Sequence, residues 1–270
     1  ASRGCPRYCK FCLVRAPESP MRESELQRVI EAIPEDARRV GFVGAAVSEW
    51  SGIKAALSHV VNLGKGVGIS SLRADRLDAE FARLLAQGGA RTMTVAADAP
   101  SQRLRNKLAK GIRTQHLRDT AAWAKEAGMR KLKLYVIVGL PDETEEDLAE
   151  LVELVRELQS TIPIAIGASP LVPKLHTPLG DAPFMGIKAI EKELAFLKKQ
   201  LGRVADLRAT SARWAWVEYR LSQGGQDTGV AAYRAWERGG RHADWVKALE
   251  GTDERAALNE ANKANLWLAA

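Results

Sequence analysis

The sequence predicts an α/β fold: a partial (β/α)6 TIM-like barrel of parallel strands with a C-terminal helical appendage. Three observations carry this. Five short apolar runs of strand length recur along the chain, each flanked by glycine or charged residues. Amphipathic helical patterns lie between them, and a βαβα order implies parallel strands with right-handed crossovers. After about Leu201 the alternation stops and tryptophan-rich helical segments follow. A chain of 270 residues, 46% of them hydrophobic, can bury a core of this size.

The elements follow in order. Ala1 to Gly4 are expected to be the tail of a first strand that lies upstream. The ESELQRVIEAI segment puts Leu26, Val29, Ile30 and Ile33 on one helical face. Strands are then expected at Arg38 to Ala46, Gly66 to Leu72, Arg91 to Ala97, Leu132 to Gly139 and Ile162 to Ala168. All are apolar enough to be covered on both faces. Between them, Leu77, Phe81, Leu84 and Leu85 form a helical stripe that stops at Gly88. The DETEEDLAELVELVRELQ segment crowds acids into its first turns, where the helix dipole favours them. It then aligns Leu148, Leu151, Val152 and Val155. A last long helix carries Ile187, Ile190, Leu194, Leu197 and Leu201. Two domains are expected: a barrel over 1–208 and a helical appendage over 209–270, which packs on the barrel or covers a substrate.

The net charge is +7. Such basicity admits nucleic acid as a partner. The charges are dispersed and form no basic run, so mild basicity without that partner is favoured. No apolar stretch approaches the roughly 20 residues that span a bilayer, and no signal peptide is recognisable. Three clustered cysteines are not a disulfide framework. A cytoplasmic, reducing setting is expected.

All three cysteines fall in GCPRYCKFC, as Cys5, Cys9 and Cys12, spaced C-x3-C-x2-C. Such a loop can wrap thiolates around one metal centre. A structural zinc takes four ligands, and a fourth here would have to be His59, His116, His176 or His242, all far away in sequence. A [4Fe–4S] cube takes one thiolate per iron. Three thiolates would leave one iron open to a reactant. A non-enzymatic zinc-binding module stays as the alternative.

With Phe11 in place, the loop reads C-x3-C-x-aromatic-C and resembles the radical S-adenosylmethionine (radical SAM) superfamily. The resemblance covers Ser2 to about Leu201. It implies a full or partial β/α barrel with a [4Fe–4S] cluster on Cys5, Cys9 and Cys12. It also implies S-adenosylmethionine chelated to the open iron, and an external electron donor. Reductive cleavage would give a 5′-deoxyadenosyl radical that takes hydrogen from a substrate. The substrate, and any side chain acting directly on it, are not named by the sequence.

The resemblance also suggests cofactor-binding residues. Phe11 would pack near adenine. Gly44 and Ala45 stand where the family has a Gly-Gly-Glu-like segment, whose backbone meets the methionyl amino group; the acid is absent there. Ser70 and Arg73 would face the methionyl carboxylate, which suits a guanidinium fork. Asp98 and Ser101 fall in a segment similar to one of the cobalamin-binding branch, with Asp98 on a ribose hydroxyl or the amino group. Ser101 is equally a helix N-cap. Ile137 and Gly139 resemble an adenine-contacting G-x-I-x-G-x-x-E segment, with Tyr135 in place of the first glycine and Asp142 in the acidic place. His176 follows in a proline-rich loop. The closest resemblance is to the branch with an N-terminal cobalamin-binding domain, which these 270 residues lack; with cobalamin, methyl transfer becomes the expected chemistry. Methylthiotransferase-like modification of RNA or protein is the alternative enzyme reading. It usually needs a second cluster, and no cysteines are left for one.

Overall fold

The computed structural model describes residues 1–256 apart from positions 17 and 254. A short antiparallel pair, β1 (Ser2–Arg3) with β2 (Arg22–Glu23), brackets the cysteine loop. Helix α1 (Leu26–Glu31) follows. Then come β3 (Arg39–Phe42), α2 (Ile53–Asn62), β4 (Gly66–Ile69), α3 (Ala79–Gln87) and β5 (Thr92–Ala96). The next elements are α4 (Gln102–Lys107), α5 (Thr114–Glu126), β6 (Lys131–Val138), α6 (Glu145–Gln159), β7 (Ile164–Pro170), α7 (Ile187–Leu201) and β8 (Asp206–Ala209). Three helices end the described chain: α8 (Ala212–Gln223), α9 (Gln226–Glu237) and α10 (His242–Leu249).

Strands β3 to β8 are all parallel, in spatial order equal to chain order. A parallel bridge between Leu72 and Val95 joins the β3–β4 pair to the four-stranded β5–β8 sheet. Among the described residues β3 pairs only with β4 and β8 only with β7, so the barrel is not closed. The helices cover the outer face. Asp78 caps α3 by accepting from the Phe81 N–H at 2.9 Å, and α3 buries Phe81, Leu84 and Leu85. The acids Glu145, Glu146 and Asp147 open α6, which buries Leu148, Leu151, Val152 and Val155. Each such side chain contributes about 1.5–3 kcal/mol by burial. All belong to one core between the sheet and helices α2, α3, α5, α6 and α7.

Two expectations are corrected. Strands β3 to β6 are not covered on both faces, whereas β7 is buried on both, as expected. In β6, Leu132, Leu134, Val136 and Val138 are buried, while Lys133 and Ile137 are half-buried and Tyr135 is exposed. In β5, Met93 and Val95 are buried and Thr92 is exposed. An incomplete barrel leaves its concave side open, so side chains alternate as in a one-faced sheet. The second correction is a further strand, β8, whose DLRA sequence is short and polar and forms only because β7 presents an edge.

Helices α9 and α10 pack a small core of their own around Ala231, Ala235, Ala248 and Leu249. The Gln223 side chain of α8, fully buried, donates to the Pro173 carbonyl at 3.1 Å and the Gly180 carbonyl at 2.8 Å. It ties these helices to the loop after β7. Residues 257–270 of the expected appendage lie outside the described residues.

Candidate active site

The cysteine loop is closed on itself and then clamped to the carboxyl ends of the strands. The Cys5 N–H donates to the Ser19 carbonyl at 3.0 Å. Gly4 makes this closure possible. Its φ is +72°, and an added Cβ would lie 2.2 Å from the Pro20 carbonyl oxygen. The Lys10 N–H donates to the Leu108 carbonyl, and the Lys10 carbonyl accepts from the Leu179 N–H. Phe11 and Ile137 join one apolar cluster with Ala99, Leu140 and Leu171, which lie just past β5, β6 and β7.

Cys9 is buried; Cys5 and Cys12 are half-buried. Burial pushes the Cys5 and Cys12 thiols up, and repulsion from Cys9 adds to this in both. The three sulfurs are therefore electrostatic neighbours.

A charge network braces the loop from one side. The Glu49 carboxylate, 2% exposed, meets Arg7 at 2.5 Å, Arg73 at 3.2 Å and Arg76 at 2.7 Å. Arg7 lies between Cys5 and Cys9 and also reaches Asp75 at 3.2 Å. Burial opposes the Arg7 charge, but the Glu49 carboxylate outweighs it and raises the Arg7 pKa. Arg73, expected at a ligand carboxylate, is buried and spends its guanidinium on Asp75, Glu49 and the Lys110 carbonyl. On the other side Asp98, at φ +61°, pairs with the ammonium of buried Lys110. The Lys110 charge also acts on Cys12, partly offsetting the rise in its pKa.

The remaining expected residues are placed as follows. The Ser101 hydroxyl is fully buried; it accepts from the Leu104 N–H at 3.2 Å and donates to Asp147 at 2.5 Å. It caps α4 and ties it to α6, so it has no open surface to offer a ligand. Gly44 lies against Ser2, and Ala45 is exposed beside it. Ser70 is exposed and lines a cavity of about 350 Å³ with Arg39, Thr92 and Thr94. Gly139 stands at φ +74° where β6 leaves the sheet. The carboxyls of Glu143 and Glu193 face its N–H, which acts to lower both pKa values, and the Leu140 N–H donates to Glu143 at 3.2 Å. His176 is exposed, at φ +62°. Asp142 is exposed and pairs with Lys107. Sequence reading missed Glu49 and Lys110; their partners lie many residues away, and only the fold brings them together.

The family model of the radical SAM superfamily matches residues 1–155. The chain belongs to the radical SAM superfamily. An uncharacterized protein of Methanocaldococcus jannaschii is 34% identical over 203 residues, 71% of this chain and 45% of that protein. An uncharacterized methyltransferase of Pyrococcus horikoshii is 26% identical over 167 residues, 58% of this chain and 36% of that protein. The chain thus spans less than half the length of these curated relatives. In fold it resembles the radical S-adenosylmethionine methyltransferase TsrM of Kitasatospora setae, solved with cobalamin and a [4Fe–4S] cluster. The TM-score is 0.53 at 21% identity, covering 70% of this chain and 38% of TsrM.

Radical SAM membership implies a [4Fe–4S] cluster and S-adenosylmethionine. The donor set fits such a cluster. Among the described residues no three Cys, His, Asp or Glu side chains converge to hold one metal ion. A cube spreads its thiolates over separate irons, and three neighbouring thiols in one clamped loop match that. Among the described residues no helix is long and apolar enough to cross a membrane.

Proposed function

We propose that the chain is the catalytic unit of a radical SAM enzyme, with Cys5, Cys9 and Cys12 holding the cluster. The observation that carries this is the three-thiol loop clamped at the carboxyl ends of parallel strands, where β/α barrels place their chemistry. Cys5, Cys9 and Cys12 would hold the cluster, which would supply the one-electron reduction that splits S-adenosylmethionine into methionine and a hydrogen-abstracting 5′-deoxyadenosyl radical. The electron comes from an external donor.

The chain's own residues position and shield. Phe11 and Ile137 give an apolar wall for adenine, and the turn at Gly139 brings backbone groups to its edge. Gly44, Ala45 and exposed Ser70 line the rim where the methionyl end would sit. Asp98 holds a ribose hydroxyl with the carboxylate oxygen that Lys110 leaves free. Arg73 and Ser101 act at one remove, as braces of the loop and of α4. Residues up to Ala209 form the catalytic half-barrel, and the helices from Ala212 its cover.

Within the superfamily we favour methyl transfer with cobalamin supplied by a domain outside this chain. Its support is the Pyrococcus horikoshii relative named a methyltransferase and the cobalamin-bound TsrM of similar fold.

Metal analysis tests the assignment. Anaerobic reconstitution with iron and sulfide should load about four irons per chain, and Cys9→Ala should lose them. Stoichiometric zinc with no bound iron would overturn it in favour of a zinc-binding module.

A further inference from the structure

The concave face of the half-barrel carries a built pair of side chains that the cluster site does not use. Lys133 and Tyr135 stand two residues apart on β6, on the face opposite the core. The Lys133 ammonium donates to the Tyr135 hydroxyl at 3.1 Å and lies 4.6 Å from the centre of its ring. The ring is seated on Gly167 of β7, the residue in register with Tyr135. A Cβ at Gly167 would lie 2.7 Å from Tyr135 Cδ1, so glycine is what lets the ring lie there. Tyr135 thus points down the concave face toward Lys133, not up toward Phe11 and Gly139. It remains 37% exposed.

Hydrogen-bond chemistry defines what this pair takes. The tyrosine oxygen accepts from lysine, so its own O–H is left to donate outward. Lys133 keeps further N–H donors. Both groups therefore present donors, and one carries a full positive charge. Among the described residues Lys133 has no carboxylate partner. Around it the balance is also positive. Lys131 and Arg208 share the single carboxylate of Asp206, at 3.6 and 3.3 Å. The Lys131–Asp206 contact spans β7, which places both side chains on the concave side.

We propose that Lys133 and Tyr135 bind the substrate of this enzyme through an oxyanion, a carboxylate or a phosphate. The open concave face then positions the rest of the substrate beneath the strand ends. The word substrate here rests on the radical SAM reading; the anion site itself does not.

Protection of Lys133 from an amine-acylating reagent tests this on the full chain carrying its cluster. Labelling is read by peptide mass spectrometry, with exposed Lys192 as reference. Inorganic phosphate and succinate are titrated separately, so the two sources of the oxyanion are told apart. At least one should slow Lys133 labelling saturably and leave Lys192 unaffected. Tyr135→Phe keeps the ring and removes one donor, so it should weaken protection about tenfold. Gly167→Ala, checked for folding by circular dichroism, should abolish it. Three results would overturn the proposal: no protection by either anion, equal protection by sodium chloride at matched ionic strength, or protection by S-adenosylmethionine alone. Labelling needs no radical chemistry, so a failure to cleave S-adenosylmethionine would leave this result standing, and the reverse.

Discussion

The Glu49 carboxylate is almost wholly buried and faces the guanidiniums of Arg7, Arg73 and Arg76. Arg7 belongs to the cysteine loop, so this one carboxylate connects the loop to the ends of β3 and β4. Removing its charge would leave three cations with only Asp75 nearby. Breaking a buried pair in this way costs about 3 kcal/mol, and Glu49→Gln should show that loss in denaturant unfolding. Lys192→Ala is the contrast. Its pair with Glu145 has side chains 79% and 80% exposed, and its loss should stay within about 0.5 kcal/mol. Equal effects would mean that Glu49 is no brace. At this scale the grouping of the three cysteines in one loop was legible, because it depends only on local spacing. Glu49 was not, because Arg7 and Arg76 lie 42 and 27 residues away. The same distance problem turned Arg73 from an expected ligand contact into part of the brace.

Helices α6 and α7 meet the end of β6 through two carboxyls. Glu143 precedes α6 and Glu193 lies on α7; both face the Gly139 N–H and line a cavity of about 340 Å³. Burial first, then the Glu193 charge, pushes Glu143 from its ordinary 4.5 up to about 8. Burial raises Glu193 as well. The folded chain therefore holds protons that the unfolded chain has released between about pH 4.5 and about 8. Stability should fall as pH rises through that window. Denaturant midpoints across it should decline, and Glu193→Gln should flatten the decline. A midpoint independent of pH in both proteins would contradict the pairing. At this scale periodicity served well: the buried faces of α3 and α6 are those that the apolar spacing marks. It failed where tertiary context decides. The β8 sequence has two charged residues in four, and β3 to β6 are apolar enough to read as doubly covered although one side stays open.

The molecule as a whole is an open half-barrel of six parallel strands, with the cysteine loop over the strand ends and a basic concave face beneath. Openness ties these features together. A closed barrel fills its interior with side chains, whereas here Gly41 has open space where a Cβ would stand, and Gly68 and Gly167 make room for Arg39 and Tyr135. The fold class was legible because alternating β and α patterns admit few topologies. So was its partial closure: a partial barrel was expected, and among the described residues β3 and β8 each keep one edge without a neighbouring strand.

If three thiolates hold the cluster, one iron is left to activate S-adenosylmethionine. Anaerobic incubation of the cluster-loaded chain with dithionite and S-adenosylmethionine tests it most directly, with 5′-deoxyadenosine measured by chromatography. Production of 5′-deoxyadenosine that Cys9→Ala abolishes is the expected result. A fully loaded protein that yields none above a protein-free control, or a Cys9→Ala variant that yields as much as the parent, would contradict it.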